Sequence, residues 1–223
     1  MTIRRTIQLA VASMLAVGGG ASASAPRPQT DLLDRAVAAW AKVKTARATF
    51  EQTIVNPLTG NTLTSTGEYQ QQRPGKLSVK FDNPATDRIV ADGQYVWLYL
   101  PSSVPDQVIR SPLSSSGTGT VDLTAQFLTA PRKRYTVTGA GTLSVSGRPT
   151  HGYTLVPRTS TGAPFKTATV YVDDADATIR QFVVTEPNGV QRTVRLTSFR
   201  PNVPVDAKAF VFVVPPGTRV IAH

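Results

Sequence analysis

Ile89-Val90-Ala91-Asp92-Gly93-Gln94-Tyr95-Val96-Trp97-Leu98-Tyr99-Leu100 reads as two strands folded back on each other. Asp92-Gly93 is the hairpin dipeptide, because a tight turn needs positive φ. The second arm is apolar on both sides. Tyr95, Trp97 and Tyr99 point one way, and Val96, Leu98 and Leu100 point the other. Successive strand residues face opposite sides of a sheet, so this strand is expected to be buried on both faces. Two arrangements satisfy that. One is an ordinary core. The other is a concave sheet whose inner face is too large to be filled by what covers it, which leaves an apolar pocket.

The same two-residue period extends outward in both directions. Leu77, Val79 and Phe81 alternate with Ser78 and Lys80. Ala46, Ala48 and Phe50 alternate with Arg47, Thr49 and Glu51, and the turn Asn56-Pro57-Leu58-Thr59-Gly60-Asn61 leads into a strand over Thr62 to Gln72. Val108-Ile109 continues the run. Further strands are expected at 134–139, 151–157, 166–172, 178–185 and 190–199, with turns at Asp173-Asp174-Ala175-Asp176 and Pro187-Asn188-Gly189. Ahead of them Leu32, Leu33, Ala36, Val37, Trp40 and Val43 recur at helical spacing behind the capping residue Thr30. That predicts an amphipathic helix over 31–45. Residues 111–121 form a low-complexity loop, 122–129 a short helix, and 204–209 a helical turn before an apolar strand from Phe210 to Val214. The fold class is mainly β: one strongly curved antiparallel sheet, wrapped round or covered by a helix.

The first residues read as an export leader. Arg4 and Arg5 precede the apolar run Ile7 to Val17, and Ala21-Ser22-Ala23 and Ala23-Ser24-Ala25 are small-x-small cleavage sites. A signal peptide over 1–23 is expected, with cleavage as late as residue 25, followed by a single domain over 24–223. The run stops at Gly18-Gly19-Gly20, short of the ~20 apolar residues of a spanning helix. The sequence has no cysteine, so neither a lipid-modified cysteine nor a disulfide is available, and the fold must rest on packing. The formal charge is +10, but Lys and Arg are dispersed, with Arg132-Lys133-Arg134 as the one cluster. No nucleic-acid module is visible.

Parts for chemistry are missing. The two histidines are His151, at the start of a strand, and His223, the last residue. There is no Gly-x-Ser-x-Gly elbow and no Gly-rich phosphate loop. Asp173, Asp174 and Asp176 read as a hairpin turn rather than a calcium loop. The expectation is a non-enzyme without metal or cofactor.

Taken in order, several short strings resemble the periplasmic outer-membrane lipoprotein carrier family, LolA. They are Ala48-Thr49-Phe50-Glu51-Gln52, Gly67-Glu68, Gln72-Arg73-Pro74-Gly75-Lys76-Leu77-Ser78-Val79-Lys80-Phe81, the 89–101 hairpin, Val205-Asp206-Ala207-Lys208-Ala209-Phe210-Val211-Phe212 and Pro215-Pro216-Gly217. The resemblance implies a half-open antiparallel β-barrel, covered by a long N-terminal helix and short lid helices, that encloses a hydrophobic cavity. It implies a soluble, monomeric periplasmic chaperone for acylated lipoproteins. Cargo would come from an inner-membrane ABC transporter and pass to an outer-membrane lipoprotein receptor. A carrier or sensor of another lipid or glycolipid with the same fold is the alternative. Arg73 is implied as the residue that controls the lid. Leu77, Val79 and Phe81 match the cavity-lining strand, and Leu123, Phe127 and Leu128 match the lid region. Phe50, Ile89, Val96, Leu98, Phe182, Phe210 and Phe212 are the other candidates for the cavity wall.

Overall fold

Twelve strands hydrogen-bond into one sheet in the computed structural model, which describes residues 31–113 and 123–222. The expected leader and most of the expected loop lie outside these residues. The strands are β1 (Thr45–Val55), β2 (Thr62–Gln72), β3 (Lys76–Asn83), β4 (Arg88–Asp92), β5 (Tyr95–Tyr99), β6 (Gln107–Pro112), β7 (Tyr135–Val145), β8 (Arg148–Pro157), β9 (Thr167–Asp173), β10 (Ile179–Thr185), β11 (Gln191–Pro201) and β12 (Arg219–Ala222). Their order across the sheet is β12-β6-β5-β4-β3-β2-β1-β11-β10-β9-β8-β7. Two meanders, β1 to β6 and β7 to β11, are therefore joined where β11 returns to pair with β1. Short turns explain the meanders, since antiparallel neighbours need only a tight connection. Gly93 closes the β4–β5 hairpin at a φ of 104°, which disfavours any residue with a Cβ.

The leading helix, α1 (Leu32–Ala41), is shorter than its apolar period suggests. Asp31 caps it, its Oδ1 accepting from the Leu33 amide at 3.1 Å. The helix stops at Ala41 because Thr45 begins a strand that pairs with both β2 and β11, and two ladders outweigh one further helical turn. Asp31 also accepts from the Tyr153 hydroxyl at 2.7 Å and pairs with Arg132, so the cap is tied to β8 and to the following basic turn. Leu33, Ala36 and Trp40 are the buried stripe of α1. They pack in one core with Phe127, Leu155, Val170 and Ile179. Two short helices, α2 (Leu123–Leu128) and α3 (Pro131–Arg134), lead into β7.

The C-terminal part corrects the sequence reading. Phe210 to Val214 is not a strand. Residues Ala207–Phe210 form a 3-10 turn capped by Asp206, and the strand comes later, as β12, parallel to β6. Phe212 stacks on Trp97 with ring centroids 5.3 Å apart. The apolar alternation at 210–214 serves to cover the sheet's outer surface, not to join a ladder: Phe210 is buried, and Val213 is 78% exposed.

The β9–β10 turn is locked by charge. Asp173 is fully buried and pairs with Arg148 and Arg180, while its Oδ1 accepts from the Ala175 amide at 2.9 Å. Burial alone would raise its carboxyl, but the bonds from Arg148, the Ala175 amide and Arg180 outweigh that and hold it well below the usual carboxylate range. A depressed native value stabilises the fold above the unfolded value, and that contribution is lost as pH falls. The melting temperature is therefore expected to fall as the pH drops below about 5, and to go on falling below about pH 3. In Asp173→Asn the melting curve should start lower and depend less on pH over that interval. An unchanged pH slope would remove Asp173 as its source.

Candidate functional site

Cross-strand pairing lines up one face of the sheet into continuous rows. Phe199 pairs with Ala48, Ala48 with Tyr69, Tyr69 with Val79, Val79 with Ile89, Ile89 with Leu98 and Leu98 with Ile109. All seven line one cavity of about 530 Å³. That size falls within the ~300–1,000 Å³ typical of ligand pockets. A second row adds Leu196, Phe50 and Phe81. Phe182, Val184 and Val194 close the side toward β10 and β11, and Thr124 and Gln126 of α2 face the cavity together with Pro164 and Phe165. The walls are thus apolar because strands with period-two alternation place their apolar set on the same concave side.

Gly67 makes part of this shape possible. It sits in register between Phe50 and Phe81, whose rings meet edge-on at 5.6 Å. A Cβ on Gly67 would lie 2.3 Å from the Lys80 carbonyl and 2.9 Å from Phe50 Cζ. Gly67→Ala is expected to destabilise the chain by about 1–3 kcal/mol through overpacking. It should also displace Phe50, read as a changed affinity for any apolar probe. A melting temperature at or above that of the parent would contradict this.

Eight of the residues singled out from sequence stand on the cavity wall: Phe50, Leu77, Val79, Phe81, Ile89, Val96, Leu98 and Phe182. Phe127 and Leu128 do not. They are buried behind it, and Phe127 packs against Phe165 and Phe182 at 5.8 and 5.5 Å. A short helix on a packed core turns its apolar side inward, so α2 shows the cavity Thr124 and Gln126 instead. The side chain of Leu123 lies outside the described residues. Phe210 and Phe212 also fall away from the cavity. Phe212 covers the outer face, where Trp97 and Tyr99 need burial because Val96 and Leu98 take the inner one, and the turn that carries the buried Phe210 lies against β3 and β4.

Arg73 lies in the turn between β2 and β3. Its Nη1 donates to the carbonyls of Trp40 at 3.0 Å and Val43 at 3.2 Å, and the guanidinium sits 5.1 Å from the centre of the Trp40 ring. The Arg73 amide donates to the Lys44 carbonyl at 2.8 Å. Its partners are the C-terminal end of α1 and the residues after it, where unsatisfied carbonyls carry partial negative charge. Helix α1 in turn packs against α2.

Tyr69, Ile109, Leu196 and Phe199 line the cavity without having been singled out. The signal was present in the alternation of β2, β6 and β11, but which face is concave depends on the pairing of β1 with β11, far away in sequence. Gln52, Glu186 and Arg192 were missed for another reason: they are polar and stand at one end of an apolar wall. No group of three or more His, Cys, Asp or Glu side chains comes together as a metal site among the described residues, and no described helix is long and apolar enough to cross a membrane.

An open curved sheet, with helices packed over one part of its concave face and an apolar hollow over another, defines a class of single-sheet cavity proteins. The family model for the outer membrane lipoprotein carrier protein LolA matches residues 41–213, and the chain belongs to that family. It is similar to the outer-membrane lipoprotein carrier protein of Serratia proteamaculans, with 28% identity over 181 residues, covering 81% of this chain and 82% of the relative. A shorter stretch of 71 residues is 37% identical to the protein of the same description from Methylibium petroleiphilum, covering 32% of this chain and 35% of that one. Among solved structures, an uncharacterized conserved protein from Thermus thermophilus superposes with a TM-score of 0.53 at 14% identity, over 86% of this chain and 97% of its own. That likeness concerns the fold alone.

Proposed function

We propose that the chain is a periplasmic carrier of acylated lipoproteins, which shields their acyl chains in the concave cavity. On this reading it takes cargo from an inner-membrane ABC transporter and delivers it to an outer-membrane receptor. The observation that carries the proposal is the unbroken apolar row from Phe199 to Ile109 inside a LolA-family sheet.

The physics suits the task. Each buried methylene contributes about 0.8 kcal/mol, so an acylated protein does not cross water unaided. A carrier must match that surface and still release it. Packed apolar walls supply the first requirement. The second calls for helices that can lift from the cavity, and we assign that movement to α1 and α2 as the lid, with Arg73 as its fastening. No bond is made or broken in the cargo, so the site needs no nucleophile, metal or cofactor, and the chain acts as a chaperone rather than an enzyme.

The test is displacement of a bound apolar fluorophore. A triacylated lipopeptide should displace it, and its deacylated peptide should not. Displacement by a glycolipid alone would favour a carrier or sensor of another lipid. Failure of every amphiphile to displace the probe would overturn the reading.

A further inference from the structure

One end of the cavity turns polar on two strands and just past the end of a third. Inward positions on β1 run Ala48, Phe50, Gln52, and on β11 they run Leu196, Val194, Arg192. On the β10 side, Phe182 and Val184 are followed by Glu186. The register brings these ends together, because Gln52 pairs with Val194, and Val184 pairs with Arg192.

The three polar side chains hold one another. Gln52 is 9% exposed; its Nε2 donates to Ser65 Oγ at 3.0 Å, and its Oε1 accepts from Arg192 Nη1 at 3.0 Å. Arg192 Nη2 donates to Glu186 Oε1 at 3.4 Å. These bonds use two of the five N–H donors of a guanidinium and set its plane at the margin of an apolar wall. A buried amide spent on orienting an arginine is more than the walls of a purely hydrocarbon pocket require.

We propose that Arg192 is a ligand-binding residue for the carbonyl groups that join acyl chains to the rest of the cargo, ester or amide. The hydrocarbon then runs over Phe50, Val79 and Leu98, and the polar linkage stops at Arg192. Gln52 and Glu186 act as positioning residues. Glu186 also balances the charge of Arg192, so the site favours neutral carbonyl oxygens over a phosphate. This subsite rests on the acyl-chain reading of the cavity and adds its polarity and direction.

The full chain and Arg192→Met, which keeps the bulk and removes the donors, are compared with three fluorophore-tagged probes. One is a diacylglycerol, one an N-acyl amide, and one a straight-chain alkane of the same carbon count with no carbonyl. Arg192→Met is expected to weaken the ester and amide probes by about tenfold or more and the alkane by less than about twofold. The alkane serves as an internal control for any loss of folding. Loss on the ester probe alone places glyceride carbonyls at Arg192; loss on the amide probe alone places an acyl amide there. Equal effects on all three probes, or no effect, would overturn the subsite and leave the cavity standing. Failure of the parent chain to bind any probe would overturn the acyl-chain reading and the subsite together.

Discussion

Replacing Val79 with glutamate should weaken binding of an apolar fluorophore at least about a hundredfold while the sheet stays folded. Val79 is half-buried, and its side chain is central in the row that runs from Tyr69 through Ile89 to Leu98. Empty, the cavity lets a carboxylate there keep some water. Occupied, it leaves that carboxylate facing hydrocarbon with no partner, at a penalty of several kcal/mol. Each 1.4 kcal/mol is about a factor of ten. The position matters. Leu77 stands on the same strand face but is only 3% exposed and packs with Ala91 and Val96, so glutamate there damages the core as well. Circular dichroism and melting separate the two effects. Fluorophore titration of a folded Val79→Glu chain that matches the parent would show that ligands do not use this wall.

Arg73→Leu should load normally yet pass cargo to the receptor about ten- to a hundredfold more slowly. The two carbonyls that accept from Arg73 belong to Trp40, within α1, and Val43, just beyond it. On the lid assignment proposed above, those bonds exist only while the end of α1 is seated, and so favour the closed form. A hydrogen bond from a charged donor contributes about 1.5–3 kcal/mol, and removing it shifts the balance toward the open, loaded form by a comparable amount. Release then loses its driving force. Arg73→Lys should restore part of the rate, because an ammonium can reach a carbonyl but lacks the guanidinium's planar fork. Transfer measured from purified loaded carrier to receptor decides the matter, and a normal rate in Arg73→Leu would sever Arg73 from hand-off.

The β4–β5 hairpin was legible because its signal is local. A two-residue period and Asp92-Gly93 suffice to place Ile89, Val96 and Leu98 on one face. The ends of helices and strands were less so. Nothing near Ala41 announces that α1 must stop. The reason is that Thr45 pairs with Gln72, a residue of the next strand. Phe210 and Phe212 misled for a similar reason, since an apolar alternation looks the same whether it joins a ladder or covers one. Gly67 appeared only as part of a family-like string; the close approach of Phe50 and the Lys80 carbonyl gives its physical cause. Arg192 was invisible because its meaning depends on Gln52, 140 positions earlier in the chain. Long-range register, not composition, separates a polar surface residue from the polar end of a cavity.

The most direct test is to isolate the chain from the periplasm of a Gram-negative cell and identify by mass spectrometry what remains bound to it. Triacylated polypeptide, lost from Val79→Glu and retained in Arg73→Leu, is the predicted result. Free glycolipid or phospholipid with no acylated polypeptide, or a cavity that carries nothing in any of the three chains, would contradict a lipoprotein carrier.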